Sequence, residues 1–410
     1  MKKGLIIFLL FVLIGTSLLI YQKYDRQKIV ENDLIIVEKI SKHYNTYVKT
    51  IKETYLYTLN NNIYNEKGVI GKNVEITLSQ QQINPDTLYF HIEQLDAYIK
   101  YEDVTPILNI SLKDETYKKY IVFNQNILTK SPTSFYDQKG LVYKLNESFS
   151  LPIIIKETDR YYIEYNNNLL YVLKEDVESL VDINNTQEKV RDNIRTLAYH
   201  FVYKKGEKCL NKYICHSDIQ FIEHMKYINS NNYFSLKMKD LALFLDSKIR
   251  IPEKSIVITL DDGYLLKNAI EILENYKVNA TYFIVTSWND VSNIKSDFVE
   301  FHSHTDNMHN NYKCPGGNQG SQLLCDNKQK IIEDLKISQS KLNNSKIFCY
   351  PFYDYNNYII NILKYLGFKM AFVGENNEQG LSNKNTNKMR LPRMTISSYT
   401  TMKQFIDLLK

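Results

Sequence analysis

Two clusters of polar side chains in this sequence have the residue types and spacing of a metal site. The first is the acidic pair Asp261-Asp262, which directly follows the apolar run at 255–260, and the second is the histidine-rich segment at 301–309. Two adjacent carboxylates at the end of a buried strand repel each other, so such a pair is stable chiefly where a cation binds. Because carboxylates and imidazoles are common ligands of divalent transition metals, the sequence predicts a metal site here.

The elements that position these clusters are apolar runs that alternate with helical segments from about residue 196 onward. Strands are predicted at 197–202, 256–260, 280–285, 299–302, 347–350 and 370–373, and helices at 220–229, 266–276, 328–342 and 358–366. This alternation indicates a parallel sheet covered by helices, and in an α/β barrel the functional groups gather at the carboxyl ends of the strands. We therefore predict an α/β fold, with a distorted (β/α) barrel over 190–410.

The preceding half of the chain contains an internal repeat with a period of about 72 residues. Similar segments occur in the same order at 63–68 and 97–104, and again at 135–140 and 170–177. Short alternating runs and turn residues predict two small all-β domains, at 53–108 and 117–182. Their pattern resembles the bacterial SH3-like modules that accompany cell-wall enzymes, and a role as plain spacers is the alternative to polymer binding.

The N-terminus has the features of a membrane anchor. Lys2 and Lys3 precede an apolar run at 5–20, and no cleavage site of the small-x-small type follows it. This pattern favours an uncleaved, single-pass transmembrane helix at 1–25 over a cleaved signal peptide, followed by a stalk helix at 26–52. Two lysines before the run predict that the rest of the chain faces the outside of the cell membrane, in the cell envelope.

Composition and cysteine usage limit the partners and the compartment. The net charge of the 410-residue chain is only +5 and its basic residues are dispersed, which argues against nucleic acid as a partner. Cys209 with Cys215, and Cys314 with Cys325, would close two short loops, and Cys349 remains over in an apolar run. Two disulfides in an oxidising compartment are predicted, with five free thiols as the alternative.

Three motifs occur in order along the predicted barrel. Thr259 to Gly263 reads TLDDG, His304 to His309 reads HTDNMH, and the segment at 350–354 reads YPFYD. These motifs resemble those of the polysaccharide deacetylase family (carbohydrate esterase family four): Thr-Phe-Asp-Asp-Gly, a histidine followed by Ser or Thr and a second histidine, and a Pro-Tyr or Pro-Phe turn. The resemblance covers residues 196 to 400, about half of the chain.

The resemblance implies a metal-dependent amide hydrolase with Asp262, His304 and His309 as the metal ligands. One carboxylate and two imidazoles leave positions on the ion for water and a substrate carbonyl. The five-residue step between the histidines resembles the branch of the family that acts on poly-N-acetylglucosamine exopolysaccharide. His302 is a rival ligand, because strand alternation would point it to the same side as His304, and a place at the rim of the site is the favoured alternative.

The same resemblance assigns further roles around the ligands. Asp261 would be the general base, although an aspartate here could instead cap the following helix. Many family members carry a late histidine as general acid, but no histidine follows the second motif. The chain instead has His200 after an early strand, as in the circularly permuted exopolysaccharide branch. Tyr350, Phe352 and Arg393 are predicted substrate-binding positions, and Arg393 is also the candidate to orient Asp261, since the family's arginine before the Pro-Tyr turn is absent.

Together these features predict an enzyme that removes acetyl groups from an N-acetylglucosamine-containing cell-surface polysaccharide and releases acetate. The cofactor would be a divalent metal, with Zn²⁺ the leading choice and Co²⁺, Ni²⁺ or Fe²⁺ the alternatives. Two other functions stay open at this point. One is deacetylation of peptidoglycan N-acetylglucosamine, and the other is a wall-binding protein whose deacetylase domain is inactive.

Overall fold

The computed structural model describes most of the chain beyond the N-terminus, namely residues 47–78, 83–84, 89–92, 95–106, 122–166, 168–183, 190–209, 211–315, 317, 319–374 and 379–409. The chain divides near residue 184 into two compact units. The predicted membrane helix at 1–25 lies outside the described residues. Within the described ranges, no helix combines the length and the apolar composition needed to cross a membrane.

The predicted stalk helix at 26–52 is wrong over the part of it that the structure describes. Residues Tyr47–Thr50 form a strand, and the rest of the stalk before them lies outside the described residues. Val48 and Thr50 are fully buried while Lys49 between them is partly exposed, which is the two-residue period of a strand. The β region therefore begins earlier than the predicted boundary at residue 53.

The first unit is built from short strands. Its described strands are β1 Tyr47–Thr50, β2 Thr54–Asn60, β3 Ile63–Ile70, β4 Glu75–Thr77, β5 Ile83–Asn84, β6 Tyr89–Ile92, β7 Ala97–Lys100, β8 Val104–Pro106, β9 Gln125–Thr129, β10 Thr133–Asp137, β11 Gly140–Leu145, β12 Ser150–Pro152, β13 Ile155–Lys156, β14 Arg160–Tyr165, β15 Asn168–Leu173 and β16 Val177–Asp182.

The two sequence repeats have the same strand order. In the first, β1 lies between β4 and β8, and the other strands run in the order β3-β2-β7-β6-β5. In the second, β9 lies between β12 and β16, and the others run in the order β11-β10-β15-β14-β13. Each repeat also has a one-turn 3₁₀ helix before its last strand, at Tyr101–Asp103 and Lys174–Asp176. The sequence repeat is thus also a structural repeat.

The repeats are joined in one unit, whereas the sequence predicts two separate domains at 53–108 and 117–182. Strand β3 pairs with β11, with Gly68 opposite Leu145, so that a ten-stranded sheet and one hydrophobic core run through both repeats. A side chain at Gly68 would collide with the carbonyl oxygen of Lys144, so glycine permits this close approach. The pairing of β3 with β11 could not be predicted from the sequence, because edge-to-edge pairing depends on contacts between the repeats.

The second unit alternates strands and helices, as predicted. Its described elements are β17 Ile194–Tyr199, β18 Phe201–Tyr203, β19 Cys215–Ser217, α1 Asp218–Ser230, β20 Phe234–Ser235, α2 Met238–Leu245, β21 Ser255–Asp262, α3 Leu266–Asn275, β22 Ala280–Ile284, β23 Val299–Ser303, α4 Lys328–Lys341, β24 Ile347–Cys349, α5 Asn357–Tyr365, β25 Met370–Phe372, β26 Leu381–Ser382, β27 Met394–Thr395 and α6 Met402–Leu409.

The main strands of this unit form a barrel-like parallel sheet in the order β25-β24-β23-β22-β21-β17. The short segment from Leu391 to Thr395 connects its two ends. Leu391 forms a parallel bridge with Phe372 at the end of β25, and β27 pairs in parallel with β17. The predicted distorted barrel is therefore the fold of this unit. Its helices cover the outside, where buried apolar side chains of α1 and α3 pack with those of β17 and β21.

The cysteines pair as predicted. Cys209 is bonded to Cys215 and Cys314 to Cys325, while Cys349 is a free, buried thiol. Both disulfides close short loops, so each should stabilise the folded chain by about 2 kcal/mol or more.

We expect both pairs to be found in protein that has folded outside the cytoplasm. Peptide mapping without reduction should recover two cross-linked peptide pairs, and Cys349 should react with an alkylating agent only after denaturation. Recovery of five alkylated cysteines without reduction would contradict the pairing.

Candidate metal centre and active site

Parallel strands bring the predicted site residues to one edge of the sheet. Strand β21 is buried along its whole length and ends on Asp261 and Asp262. His200 directly follows β17, and His304 directly follows β23. Since these strands run in the same direction, their carboxyl ends place the three segments at the same edge, as the sequence analysis expects.

Asp262, His304 and His309 form a compact group of potential ligands. The Oδ1 atom of Asp262 lies 3.4 Å from Nε2 of His304 and 3.2 Å from Nε2 of His309. One ligand atom from each residue lies within 4.8 Å of the other two. The Nδ1 atom of His304 is 2.8 Å from the carbonyl oxygen of Cys349, which leaves Nε2 directed at the group.

The chemistry of this group fits a divalent cation. Burial raises the pKa of Asp262, but hydrogen bonding with His304 and His309 outweighs it and holds this pKa well below the usual value. The residue is therefore a carboxylate enclosed with two imidazoles, a ligand set of the two-histidine, one-carboxylate type. Asp262 and Thr305 both have positive φ angles, of 71° and 79°. Such backbone conformations are unfavourable for non-glycine residues and are often found at functional sites.

Asp261 is held in a buried ion pair behind this group. Arg393 donates from Nη1 to Oδ1 and from Nη2 to Oδ2 of Asp261, both at 2.7 Å, and from Nη1 to the hydroxyl of Thr259 at 3.0 Å. Burial raises the pKa of Asp261, but the guanidinium outweighs this effect and holds it below the usual value. The following helix α3 has Leu265 at its N-cap without a side-chain hydrogen bond, so Asp261 does not cap it. Arg393 thus fixes the orientation and the charge of Asp261.

Replacing Arg393 with alanine should strongly destabilise the second unit. The substitution leaves Asp261 as an unpaired buried charge, which typically lowers the free energy of unfolding by about 3–5 kcal/mol. Urea unfolding followed by circular dichroism measures this change. The exposed Arg390 provides a matched control, and Arg390→Ala should unfold like the wild type. Equal stability of the two variants would show that the ion pair does not support the fold.

His200 is a second basic residue near Asp261. Its Nε2 atom is 3.9 Å from Oδ2 of Asp261, and its side chain is 14% exposed. Burial lowers the pKa of His200, and the nearby carboxylates of Asp261 and Asp262 only partly offset this effect. A lower pKa makes the protonated imidazole a stronger acid but reduces its protonated fraction at neutral pH, so His200 would give a proton to a leaving amine only from that fraction.

His302 is not part of the ligand group. Its Nδ1 atom lies 2.7 Å from the hydroxyl of Ser345, and its Nε2 atom lies 3.8 Å from Glu300. The expectation that it could rival His304 is therefore wrong. Residues two positions apart on a strand are about 6.6 Å apart along it, so sharing a face does not bring His302 to the edge where His304 lies.

Two of the three predicted substrate-binding side chains are inaccessible. Tyr350 is fully buried and its hydroxyl donates to the carbonyl oxygen of Met389, and Arg393 is fully buried beside Asp261. Direct contact with a substrate is therefore excluded for both in this structure, because each packs beneath the site. Phe352 is partly exposed and its ring centroid is 4.4 Å from that of His309. Of the three predicted substrate-binding residues, only Phe352 is accessible to a substrate.

Part of this chain is similar in sequence to known proteins of one family. Residues 248–371 match the family model described as polysaccharide deacetylase. A poly-beta-1,6-N-acetyl-D-glucosamine N-deacetylase of Staphylococcus aureus is 30% identical over 203 residues, which cover 44% of this chain and 67% of that protein. The chain belongs to the polysaccharide deacetylase family. It is accordingly a hydrolase of amide bonds.

Two further proteins are similar to part of this chain. A polysaccharide deacetylase homologue of Bacillus subtilis is 25% identical over 190 residues, covering 43% of this chain and 64% of that protein. A solved structure of a de-N-acetylase from Aggregatibacter actinomycetemcomitans aligns with a TM-score of 0.44 at 22% identity, covering 53% of this chain and 100% of that one.

Two neighbours of the site in this polysaccharide deacetylase were missed by the sequence analysis. The thiol of Cys349 lies 3.6 Å from Oδ2 of Asp261 and 2.9 Å from Nη2 of Arg393. Trp288 lies beside His309, with ring centroids 5.2 Å apart. Cys349 could have been found from its position directly before the Tyr-Pro motif, whereas the isolated Trp288 belongs to none of the motifs.

Proposed function

We propose that this protein hydrolyses the N-acetyl groups of a polymer of β-1,6-linked N-acetylglucosamine. The observation that carries this proposal is the Asp262–His304–His309 group, which lies beside the buried Asp261 and next to His200. The printed function of the S. aureus relative supports the choice of polymer. Acetate would leave, and a free amine would remain on the sugar.

Asp262, His304 and His309 would hold the divalent metal, for which we propose Zn²⁺. A bound divalent ion acts as a Lewis acid that polarises the substrate carbonyl and makes water more acidic. The geometry supports this ligand set because its donor atoms converge while Asp262 stays ionised. The proton transfers and the stabilisation of the carbonyl oxygen would be carried out by groups of the protein itself.

Asp261 would take a proton from the attacking water as the water oxygen bonds to the acetamide carbonyl carbon. Its ion pair with Arg393 keeps it ionised and oriented for this step. His200 would then give a proton to the amide nitrogen, the C–N bond would break, and the amine would leave. The backbone N–H of Phe352 is our candidate to donate to the carbonyl oxygen as negative charge develops on it.

We also propose that the reaction takes place outside the cytoplasm, with the segment at 1–25 as a single-pass membrane anchor. The two disulfides support an oxidising compartment. The β repeats of the first unit would then bind or span the cell envelope, near the polymer on which the second unit acts.

Acetate release from defined polymers tests the function. The purified protein is incubated with β-1,6-linked N-acetylglucosamine oligomers, β-1,4-linked oligomers and purified sacculi, and both acetate and new primary amines are measured. We expect release from the β-1,6 oligomers, and none from the same oligomers with Asp261→Asn. Release from sacculi alone would instead identify a peptidoglycan deacetylase. No release from any of the three polymers by protein with a bound ion would overturn the proposed activity.

A further inference from the structure

Trp288 is a large aromatic side chain exposed at the edge of the candidate site. It is the only tryptophan in the chain, and 52% of its surface is accessible. It follows β22, at the same carboxyl edge of the sheet that carries the ligand group. Most large apolar side chains of this unit are buried in the core. An exposed indole beside the ligand group offers a flat apolar surface to a ligand that binds there.

The backbone that carries Trp288 is fixed to the segment that carries the histidines. The N–H of Thr286 donates to the carbonyl oxygen of Thr305, and its hydroxyl donates to Asp306 at 2.6 Å. The N–H of Ser287 donates to the carbonyl oxygen of Asp306. Because these contacts hold the backbone of the loop, less of its conformational freedom is left to lose when a ligand binds.

The imidazole of His309 contacts two aromatic side chains. Its ring centroid lies 5.2 Å from that of Trp288 and 4.4 Å from that of Phe352. A sugar unit that brings its acetamido group to the ligand group would have its ring near these aromatic groups. The C–H face of a pyranose is apolar while its edge carries hydroxyl groups, so it suits a flat aromatic surface bordered by polar ligands.

We propose that Trp288 is a substrate-binding residue whose exposed indole stacks on the pyranose ring of the N-acetylhexosamine unit bound at the ligand group. The assignment rests on the proposed function, since it takes the polymer unit as the ligand. Trp288 binds and orients the sugar without taking part in proton transfer. Its removal therefore weakens binding and leaves the chemical step largely intact.

Steady-state kinetics of acetate release from β-1,6-linked oligomers tests the proposal. Trp288→Ala should raise KM about tenfold, as expected for a lost aromatic contact, while kcat stays within about twofold. Trp288→Phe should restore most of the affinity, and the metal content of both variants should match the wild type. Tyr365→Ala is the control, because Tyr365 is 74% exposed at the end of α5, and it should behave like the wild type.

A second measurement detects the contact between Trp288 and the sugar without hydrolysis of the substrate. Trp288 is the only tryptophan, so its fluorescence in a metal-loaded Asp261→Asn protein reports directly on its surroundings. Addition of the oligomer should change the emission in a saturable way, and Trp288→Phe should abolish the change. Wild-type protein that releases acetate, together with an unchanged KM in Trp288→Ala and unchanged emission, would overturn the role of Trp288. Wild-type protein that releases no acetate from any polymer would overturn the proposed function instead.

Discussion

Replacing His304 with alanine should abolish both metal binding and acetate release while leaving the protein folded. His304 provides one of the three side chains that converge at the ligand group, and its ring is held there by the carbonyl oxygen of Cys349. Two remaining ligands are too few to retain the ion against chelation. Elemental analysis of the purified variant measures the ion, and acetate release measures the activity. Asp262→Ala should give the same result.

A matched histidine variant separates this effect from general damage to the barrel. His302 lies on the same strand but contacts Ser345 and Glu300 instead of the ligand group. His302→Ala should therefore keep its metal and most of its activity. Full metal occupancy in His304→Ala would exclude this histidine as a ligand.

Replacing His200 with alanine should lower kcat by about 100-fold or more without loss of metal, within the usual range for general acid catalysis. The amine leaves only if its nitrogen gains a proton, and His200 lies 3.9 Å from Asp261 at the end of a strand that leads to the ligand group. The charged imidazole is lost as pH rises through its pKa, so kcat of the wild type should fall on the alkaline side. This limb of the profile should be missing in the variant.

Rates of acetate release at saturating oligomer over a range of pH, with metal content measured in parallel, test this role. His302→Ala again serves as the control and should keep the alkaline limb. A His200→Ala protein with nearly normal kcat and an intact limb would place the general acid elsewhere.

The ligand group could be predicted from sequence because its members lie in short motifs at the ends of recognisable strands. Asp261 and Asp262 are adjacent, and His304 and His309 lie within one loop, so local spacing carries most of the information. The barrel could likewise be predicted from the alternation of strands and helices, because each element has its own local hydrophobic pattern. The resemblance of the three motifs to those of the polysaccharide deacetylase family then indicated that they form one site.

Features that depend on distant contacts were predicted less well. Arg393 reaches Asp261 across 132 residues, as its expected orienting role requires, but it is fully buried, so the expected contact with a substrate is wrong. The burial of Tyr350 and the joining of the two β repeats likewise depend on packing between segments that are far apart in sequence. Trp288 was missed because an isolated tryptophan has no pattern, and only its exposure beside His309 marks it.

Removal and return of the metal tests most simply whether acetate release depends on an ion held by Asp262, His304 and His309. The purified protein is treated with a chelator, and acetate release from β-1,6-linked N-acetylglucosamine oligomers is measured as Zn²⁺ is added back. We expect the metal-free protein to be inactive and its activity to rise in proportion to occupancy, up to one ion per chain. Undiminished acetate release by metal-free protein would contradict this expectation.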